Sequence, residues 1–119
     1  MRKANTQIIR KNRSGLPYAT EEKLQKINKR NKIFLDLFLS YLRLQNKSQD
    51  ILRVYETNIK IFLVWLLNYR RNKNLKRIKN IDKVLFKKFL NNTLSLSQGR
   101  VHNIIGTVNG FLIFLQENI

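Results

Sequence analysis

The sequence predicts an all-α protein, a compact four-helix bundle preceded by a basic N-terminal extension. Apolar residues recur at three- and four-residue steps through most of residues 32–119, which is the period of a buried helix face. No segment alternates apolar and polar residues between hairpin turns, so strands are not expected. The 119 residues, 43% of them hydrophobic, suffice for one domain with one core.

Residues 1–31 form the predicted extension, partly mobile or helical. Residues 1–19 hold five basic residues and no acidic one. Thr20, followed by Glu21 and Glu22, has the pattern of a helix start. From there the apolar pattern fits one long helix, or a basic lead-in followed by a helix at about 32–45. We favour the second, because "KINKRNK" crowds like charges with little to bury.

The next helix is predicted from Ser48, a hydroxyl cap with Asp50 in the first turn, to about Tyr69. Its expected core stripe has helical spacing and comprises Ile51, Val54, Tyr55, Ile59, Phe62, Trp65 and Leu66. Its other side carries Arg53, Thr57 and Lys60. This helix is therefore predicted to be amphipathic, with a polar side available for a partner.

A charge-dense connector, "RRNKNLKRIKN" (70–80), follows with six basic residues and no acidic one, and is expected to be a solvated basic loop. Asp82 then begins a short third helix. Its apolar residues are Val84, Leu85, Phe86, Phe89 and Leu90. The segment 91–96 is the next predicted break.

At the start of the last helix, Ser95 and Gln98 have capping-box spacing, and Ser97 is a competing cap. The predicted core face of this helix comprises Val101, Ile104, Ile105, Val108, Leu112 and Leu115. The opposite side is small and polar, with Gly99, Asn103, Gly106, Thr107 and Gly110, flanked by Arg100. Each glycine costs a helix roughly 0.5–1 kcal/mol relative to alanine. Such a face admits close approach, either by another helix or by a phosphate backbone.

The charge balance indicates a polyanionic partner. Twenty-four Lys and Arg against seven Asp and Glu give a net charge of +17. Nucleic acid and an anionic membrane surface are the two partners that fit. The absence of cysteine and the single histidine, His102, exclude thiolate zinc sites and multi-histidine sites. No cofactor or small-molecule substrate is expected.

The predicted features in order resemble the N-terminal core-binding, SAM-like domain of tyrosine recombinases, the phage integrases. The resemblance covers about residues 32–118. It lies in "S-x-x-x-x-R-x-Y" (48–55), "FLVWL" (62–66), "I-x-x-I-D" (78–82) and "S-x-x-R-V" (97–101). In that family the four-helix domain sits on one face of the recombination-site DNA, and a separate catalytic domain embraces the other.

The resemblance implies which residues face double-stranded DNA. On the helix after Ser48 and its approach they are Lys47, Ser48, Gln49, Arg53 and Thr57, with Lys60 on the same polar side. On the last helix they are Ser97, Arg100, Asn103 and Thr107. The chain ends at Ile119, where the family continues into its catalytic domain, so no enzymatic activity is expected from these residues. Other recombinase protomers are further possible partners.

Two alternatives stay open. A cationic membrane-active protein would expose apolar residues on its helices, whereas in this chain they are expected to face one another. A protein-interaction module would use the glycine face to dimerise. The longest apolar run, "IFLVWLL" (61–67), is too short to span a bilayer, and residues 2–13 lack the apolar core of a secretory signal, so a cytoplasmic location is expected.

Overall fold

A computed structural model describes residues 18–119, in which five α-helices pack around one core and no described residue lies in a strand. The all-α prediction is confirmed, with one short helix more than predicted. The helices are α1 (Glu21–Gln25), α2 (Lys29–Leu44), α3 (Gln49–Tyr69), α4 (Asn80–Lys88) and α5 (Gln98–Asn118). A 3₁₀ turn, Leu75–Arg77, precedes α4, and a π-helical turn, Phe89–Thr93, directly follows it.

Three predicted helix starts are confirmed by their caps. The hydroxyls of Thr20, Ser48 and Ser97 each accept a hydrogen bond from the backbone N–H three residues later, at 3.1–3.3 Å. Such a bond satisfies one of the amides that a helix start leaves without a partner. Ser97 is the cap of α5, and Ser95 instead adopts a left-handed φ of 53° in the preceding loop.

α2 begins at Lys29, three residues earlier than predicted, with Asn28 as its cap. The expectation that "KINKRNK" has little to bury is wrong. Ile27 is only 4% exposed, and Asn31 is fully buried. The predicted boundary at 31/32 therefore falls within α2. Most of the predicted mobile arm, residues 1–17, lies outside the described residues.

α3 is the central helix, and its residues 61–66 are buried on every side. Ile59, Phe62, Trp65 and Leu66 belong to the core as predicted, and Trp65 packs against the rings of Phe62 and Phe86. The burial extends all round the helix because α1, α2 and α5 pack on it and α4 contributes Phe86.

The first turns of α3 depart from the predicted core stripe. Ile51 and Val54 are 42% and 44% exposed, so their assignment to the core is wrong. In this part of the helix only the side of Leu52 and Tyr55 meets neighbours, with Tyr55 stacking on Phe38 of α2.

α2 carries a second line of apolar residues beside its core side, which its sequence pattern did not lead us to expect and in which Tyr41 also packs on Phe114 of the core. The core side includes Phe34, Phe38 and Leu42. The second line exposes apolar residues at three- and four-residue steps, namely Ile33, Leu37, Tyr41 and Leu44. We call these four residues the α2 stripe; Leu44 is its most exposed member, at 84%.

α5 buries Val101, Ile104, Val108 and Leu115 as predicted, while Ile105 and Leu112 are half-buried at its edge. Phe111 and Phe114 were not in the predicted stripe, yet both rings pack on Phe38. Among the described residues, no helix combines the length and the apolar character needed to cross a membrane.

Candidate nucleic-acid interface

A buried polar junction joins α3 to α5. Asn58 of α3 is fully buried, and its side-chain N–H₂ group donates to Asn103 Oδ1 at 3.0 Å and to Thr107 Oγ1 at 2.9 Å. The side-chain oxygen of Asn58, Oδ1, accepts a hydrogen bond from Arg100 Nη1 at 2.6 Å. Because a buried amide without partners would be costly, these bonds define how α5 lies against α3.

Arg100 is hydrogen-bonded within this junction and lies at its edge. Its guanidinium is half-buried, and Nη1 also donates to Asn103 Oδ1 at 3.2 Å. Burial lowers the pKa of Arg100 from its ordinary value, yet an arginine remains a cation at neutral pH. The junction therefore presents one oriented positive charge beside the exposed side chain of Asn103.

Thr107 does not reach the surface as the DNA-contact prediction required. It is only 6% exposed, its hydroxyl donates to the Asn103 carbonyl at 3.1 Å, and the same oxygen accepts from Asn58. The side chain lies under α3, so a duplex could not contact it without separating the two helices. We assign Thr107 to the junction and leave it out of the contact surface.

The glycines of α5 line an open face. Gly99, Gly106 and Gly110 are exposed, and a Cβ atom added at any of them would meet no neighbouring heavy atom within 4 Å. The alternative that they accommodate another of the described helices of the bundle is therefore wrong. By helical spacing, Asn103 lies between this glycine face and Thr107. The glycine face thus borders the α3–α5 junction on its solvent side.

A depression lies beside the first glycine. It has a volume of about 570 Å³ and separates the start of α5 from α4 and its π-helical turn. Lys87 and His102 are the ionisable residues in its lining. The open face of α5 is therefore bounded by α3 on one side and by this depression near its N-terminal end.

On α3 the predicted contact residues occupy two positions. Thr57, half-buried, directly precedes Asn58, and Arg53 lies one turn earlier with its side chain 73% exposed. Arg53 pairs with Asp50 at 3.4 Å, a surface ion pair that contributes little to stability and can exchange for another anion. Lys47, Ser48 and Gln49 are exposed around the start of the helix.

Lys60 is not brought together with the α5 residues. It pairs with Glu56 at 2.9 Å and lines a groove of about 300 Å³ with residues of α1 and α2, among them Leu24 and Asp36. Lys60 is two residues after Asn58, which places it on nearly the opposite side of α3, and Arg53, seven residues before Lys60, lies on that same side near the helix start. The neighbouring carboxylates also make this groove a poor site for a polyanion.

Asn58 organises the junction between α3 and α5, and it was not among the predicted contacts. It stands at a core position of the α3 stripe, three residues after Tyr55 and four before Phe62. A lone amide on an apolar stripe requires a hydrogen-bonding partner on a neighbouring element. The sequence therefore indicates that Asn58 has a hydrogen-bonding partner on another element, but it does not indicate which helix provides it.

Two further observations concern metal-ligating side chains and a buried phenol among the described residues. No group of three or more potential metal-ligating side chains occurs among residues 18–119. Burial is the main cause that raises the pKa of Tyr18 to about 12, partly opposed by a hydrogen bond from Asn68 at 3.2 Å. Such a phenol stays protonated at neutral pH and is a poor nucleophile.

Comparison with known proteins does not add to this geometry. No family model, curated protein or solved structure matches the chain.

Proposed function

We propose that this protein binds double-stranded DNA without catalysis, through the solvent side of α3 and α5. The contact set, which we call the α3–α5 surface, joins exposed and half-buried polar residues of both helices, with Arg53 at its edge, to the open glycine face. It consists of Lys47, Ser48, Gln49, Arg53, Thr57, Ser97, Arg100, Asn103, Gly99, Gly106 and Gly110.

The open glycine face is the observation that carries the proposal. Three glycines cost α5 helix stability, roughly 0.5–1 kcal/mol each. Nothing among the described residues needs those positions to be small, because a Cβ at each would enter open space. A groove wall or phosphate backbone that approaches α5 closely would need small residues at these positions. The proximity of Arg100 and the net charge of +17 favour that occupant over a neutral protein.

The side chains of the surface suit the two kinds of contact that DNA offers. Arg53 and Arg100 carry the forked donors that bind a phosphate or a guanine edge, and Asn103 can address a base edge. The Asn58 junction supports this role because it holds Arg100 and Asn103 in one arrangement before DNA arrives. Preorganised contacts lose less conformational entropy on binding.

The resemblance to the recombinase core-binding domain extends the proposal. In that case the bundle is a SAM-like module that holds a recombination-site duplex in the prokaryotic cytoplasm, and further protomers share the same DNA. The chemistry of strand exchange would then belong to a separate catalytic domain, as it does in that family. Neither a cofactor nor a small molecule has a role in this mechanism.

A charge-neutral pair of substitutions tests the proposal. Gly106→Ala with Gly110→Ala should raise the melting temperature, because both positions gain helix propensity in open space. The double variant should also bind a fluorescein-labelled 30-base-pair duplex of mixed sequence about tenfold more weakly at 50 mM salt. The added methyl groups would keep the phosphate backbone of the duplex away from α5. Fluorescence anisotropy measures the affinity.

Ser40→Ala on the exposed side of α2 is the matched control. It also adds helix propensity, and DNA affinity should stay at the wild-type value. If the wild-type protein does not bind the duplex even at 50 mM salt, DNA binding is wrong. If it binds and the glycine variant binds equally well, the glycine face is not part of the interface.

The α2 stripe favours a second candidate function, protein–protein interaction. Its four exposed apolar residues form a continuous line on one helix, of the kind that marks a docking surface. Sedimentation velocity at micromolar concentration should show self-association if the partner is a second copy. Leu44→Gln, at the most exposed position, should then abolish it without loss of stability.

A further inference from the structure

The basic connector between α3 and α4 is held by buried hydrogen bonds, whereas its sequence predicted a solvated loop. Asn31 of α2, fully buried, donates to the Lys73 carbonyl and accepts from the Leu75 amide, each at 2.9 Å. Asn28 donates to the Asn72 carbonyl at 2.8 Å. The path of the connector is therefore defined by α2 as well as by its own residues.

Asn72 lies in a turn at the start of the connector. Together with Arg71 it adopts a left-handed backbone, with φ values of 55° and 56°. Its side-chain oxygen accepts from the Asn28 amide at 3.2 Å, and its side-chain nitrogen donates to the Lys26 carbonyl at 3.1 Å. A left-handed conformation is uncommon for non-glycine residues, and these bonds stabilise it.

One buried carboxylate neutralises part of the connector. Asp82 is fully buried, and its two oxygens accept from Arg70 Nε, Lys73 Nζ and the Lys79 amide, each at 2.8 Å. Two of the six connector cations are thereby used inside the fold, where they join the connector to the start of α4.

The other four connector cations, Arg71, Lys76, Arg77 and Lys79, are exposed. Among residues 18–119 no carboxylate pairs with any of them, and Lys76 Nζ donates only to the Leu115 carbonyl at 3.4 Å. Four like charges in one short segment repel one another. The hydrogen bonds from Asn28, Asn31 and Asp82 keep the connector in its path despite this repulsion. An anionic partner would remove that repulsion.

We propose that the connector is a second DNA-contact surface, at which Arg71, Lys76, Arg77 and Lys79 bind the phosphate backbone of the duplex that the α3–α5 surface holds. This inference rests on the proposed function. It adds contacts that position the duplex without reading its sequence, as phosphate contacts do.

The spacing along the two helices fits one duplex. Asn58 of α3 is twelve residues before Arg70, the first residue after that helix, and Asn103 is twelve residues before Leu115 on α5. At about 1.5 Å per residue each interval is about 18 Å. The major and minor grooves of B-DNA are about 12 Å and 6 Å wide, so phosphate strands recur within that distance. Along the helix axes, a duplex seated on the junction therefore extends to the level of the connector.

Two triple substitutions with equal loss of charge test the inference. The connector triple is R71Q/R77Q/K79Q, and the control triple, at exposed cations of α2 and α4, is K32Q/R43Q/K88Q. Each phosphate contact contributes about 0.9 to the slope of log affinity against log salt. The connector triple should reduce that slope by about 2–3, and the control triple by less than 1.

A charge-neutral variant tests whether the rigid path matters. Asn72→Gly keeps a residue that tolerates the left-handed backbone, and it removes the side-chain bonds to Asn28 and Lys26. With the net charge unchanged, duplex affinity should fall about fivefold, because the cations must then be ordered on binding. Circular dichroism confirms that the variant is folded at the temperature of the assay.

The outcomes separate this inference from the proposed function. If the wild-type protein binds the duplex and the two triples have the same slope, the connector is not a contact surface while DNA binding stands. Equal affinity of Asn72→Gly and wild type would overturn the claim that the rigid path contributes. If the wild-type protein binds no duplex at all, the proposed function and this inference are both wrong.

Discussion

At the scale of single residues, two buried polar side chains organise the surfaces on which the proposals rest. Asn58 and Asp82 are both fully buried, and each hydrogen-bonds to three other groups. Asn58 joins α3 to α5 and orients Arg100. Asp82 joins the connector to α4. Because a buried polar group is costly when its partners are lost, each of these sites has only one favourable arrangement.

The carboxylate of Asp82 should contribute to stability in a pH-dependent way. Burial alone would raise its pKa, but hydrogen bonds from Lys73, the Lys79 amide and Arg70 outweigh burial and lower the pKa below 3.8. Since the folded-state pKa is below the unfolded one, the contribution is present above about pH 4 and is lost as pH falls through the folded-state pKa.

Asp82→Asn tests this contribution. Breaking a buried ion pair costs about 3–5 kcal/mol of stability. For this substitution we expect the free energy of unfolding at pH 7 to fall by about 2–3 kcal/mol. The smaller value reflects solvent screening, because the side chains of Arg70 and Lys73 are 31% and 24% exposed. Urea unfolding from pH 7 down to pH 2 should show the difference shrink below about pH 4. Asp36→Asn, at an exposed carboxylate, is the control, and a difference that grew on acidification would contradict the assignment.

At the scale of the elements, helix starts and helix faces behave differently. The caps of α1 and α3 follow from local sequence and were predicted correctly, whereas the cap of α5 was one of two alternatives, Ser95 and Ser97. Which side of a helix is buried depends on the neighbouring helices. α2 carries a second apolar line beside its core side, α3 is buried all round at residues 61–66, and α5 leaves its glycine face open. The glycine face and the α2 stripe are accordingly the element-scale features that call for a partner.

Ser97 has two predicted roles, as the cap of α5 and as a DNA contact. Ser97→Ala should cost about 1 kcal/mol of stability, because the hydrogen bond to the Arg100 amide is lost. Ser97→Asp keeps a capping oxygen, so stability should return, but its negative charge should weaken duplex binding below that of the alanine variant. Urea unfolding and fluorescence anisotropy measure the two effects.

The equivalent pair at Thr20 is the control, since Thr20 caps α1 away from the α3–α5 surface. Thr20→Asp should keep its cap and change duplex affinity only through net charge. If Ser97→Asp and Thr20→Asp reduce affinity equally, Ser97 is a cap and nothing more.

At the scale of the whole molecule, the excess of positive charge dominates. A net charge of +17 opposes compaction, and the carboxylates of Asp50, Glu56 and Asp82 pair with cations in the described structure. Most of the described cations are exposed around the fold. A polyanion that covers several of them would relieve this repulsion and release its own counterions on binding.

Duplex affinity should therefore depend steeply on salt. If about six phosphates are contacted, the affinity should fall roughly 10³-fold between 50 and 200 mM salt. Anisotropy titrations at four or five salt concentrations measure the slope. An affinity that does not change over this range would contradict binding through the phosphate backbone.

The helical class, the starts of α1 and α3 and the cationic character were readable from the sequence because they depend on composition and on groups three or four residues apart. A hydroxyl bonds its own helix, and apolar residues at helical spacing share a face wherever that helix lies. The polar sides of α3 and α5 were predicted for the same reason, as was the burial of Trp65.

The packing of the helices settled the remaining assignments. Thr107 is buried and Asn103 exposed, although both lie on the polar side of α5, because α3 covers only one of them. Ile51 stays exposed because no described neighbour reaches it, and Asn31 is buried because the connector folds over it. Burial and hydrogen-bond partners depend on contacts between residues that are distant in the chain. A periodicity within one helix carries no information about which neighbour covers it.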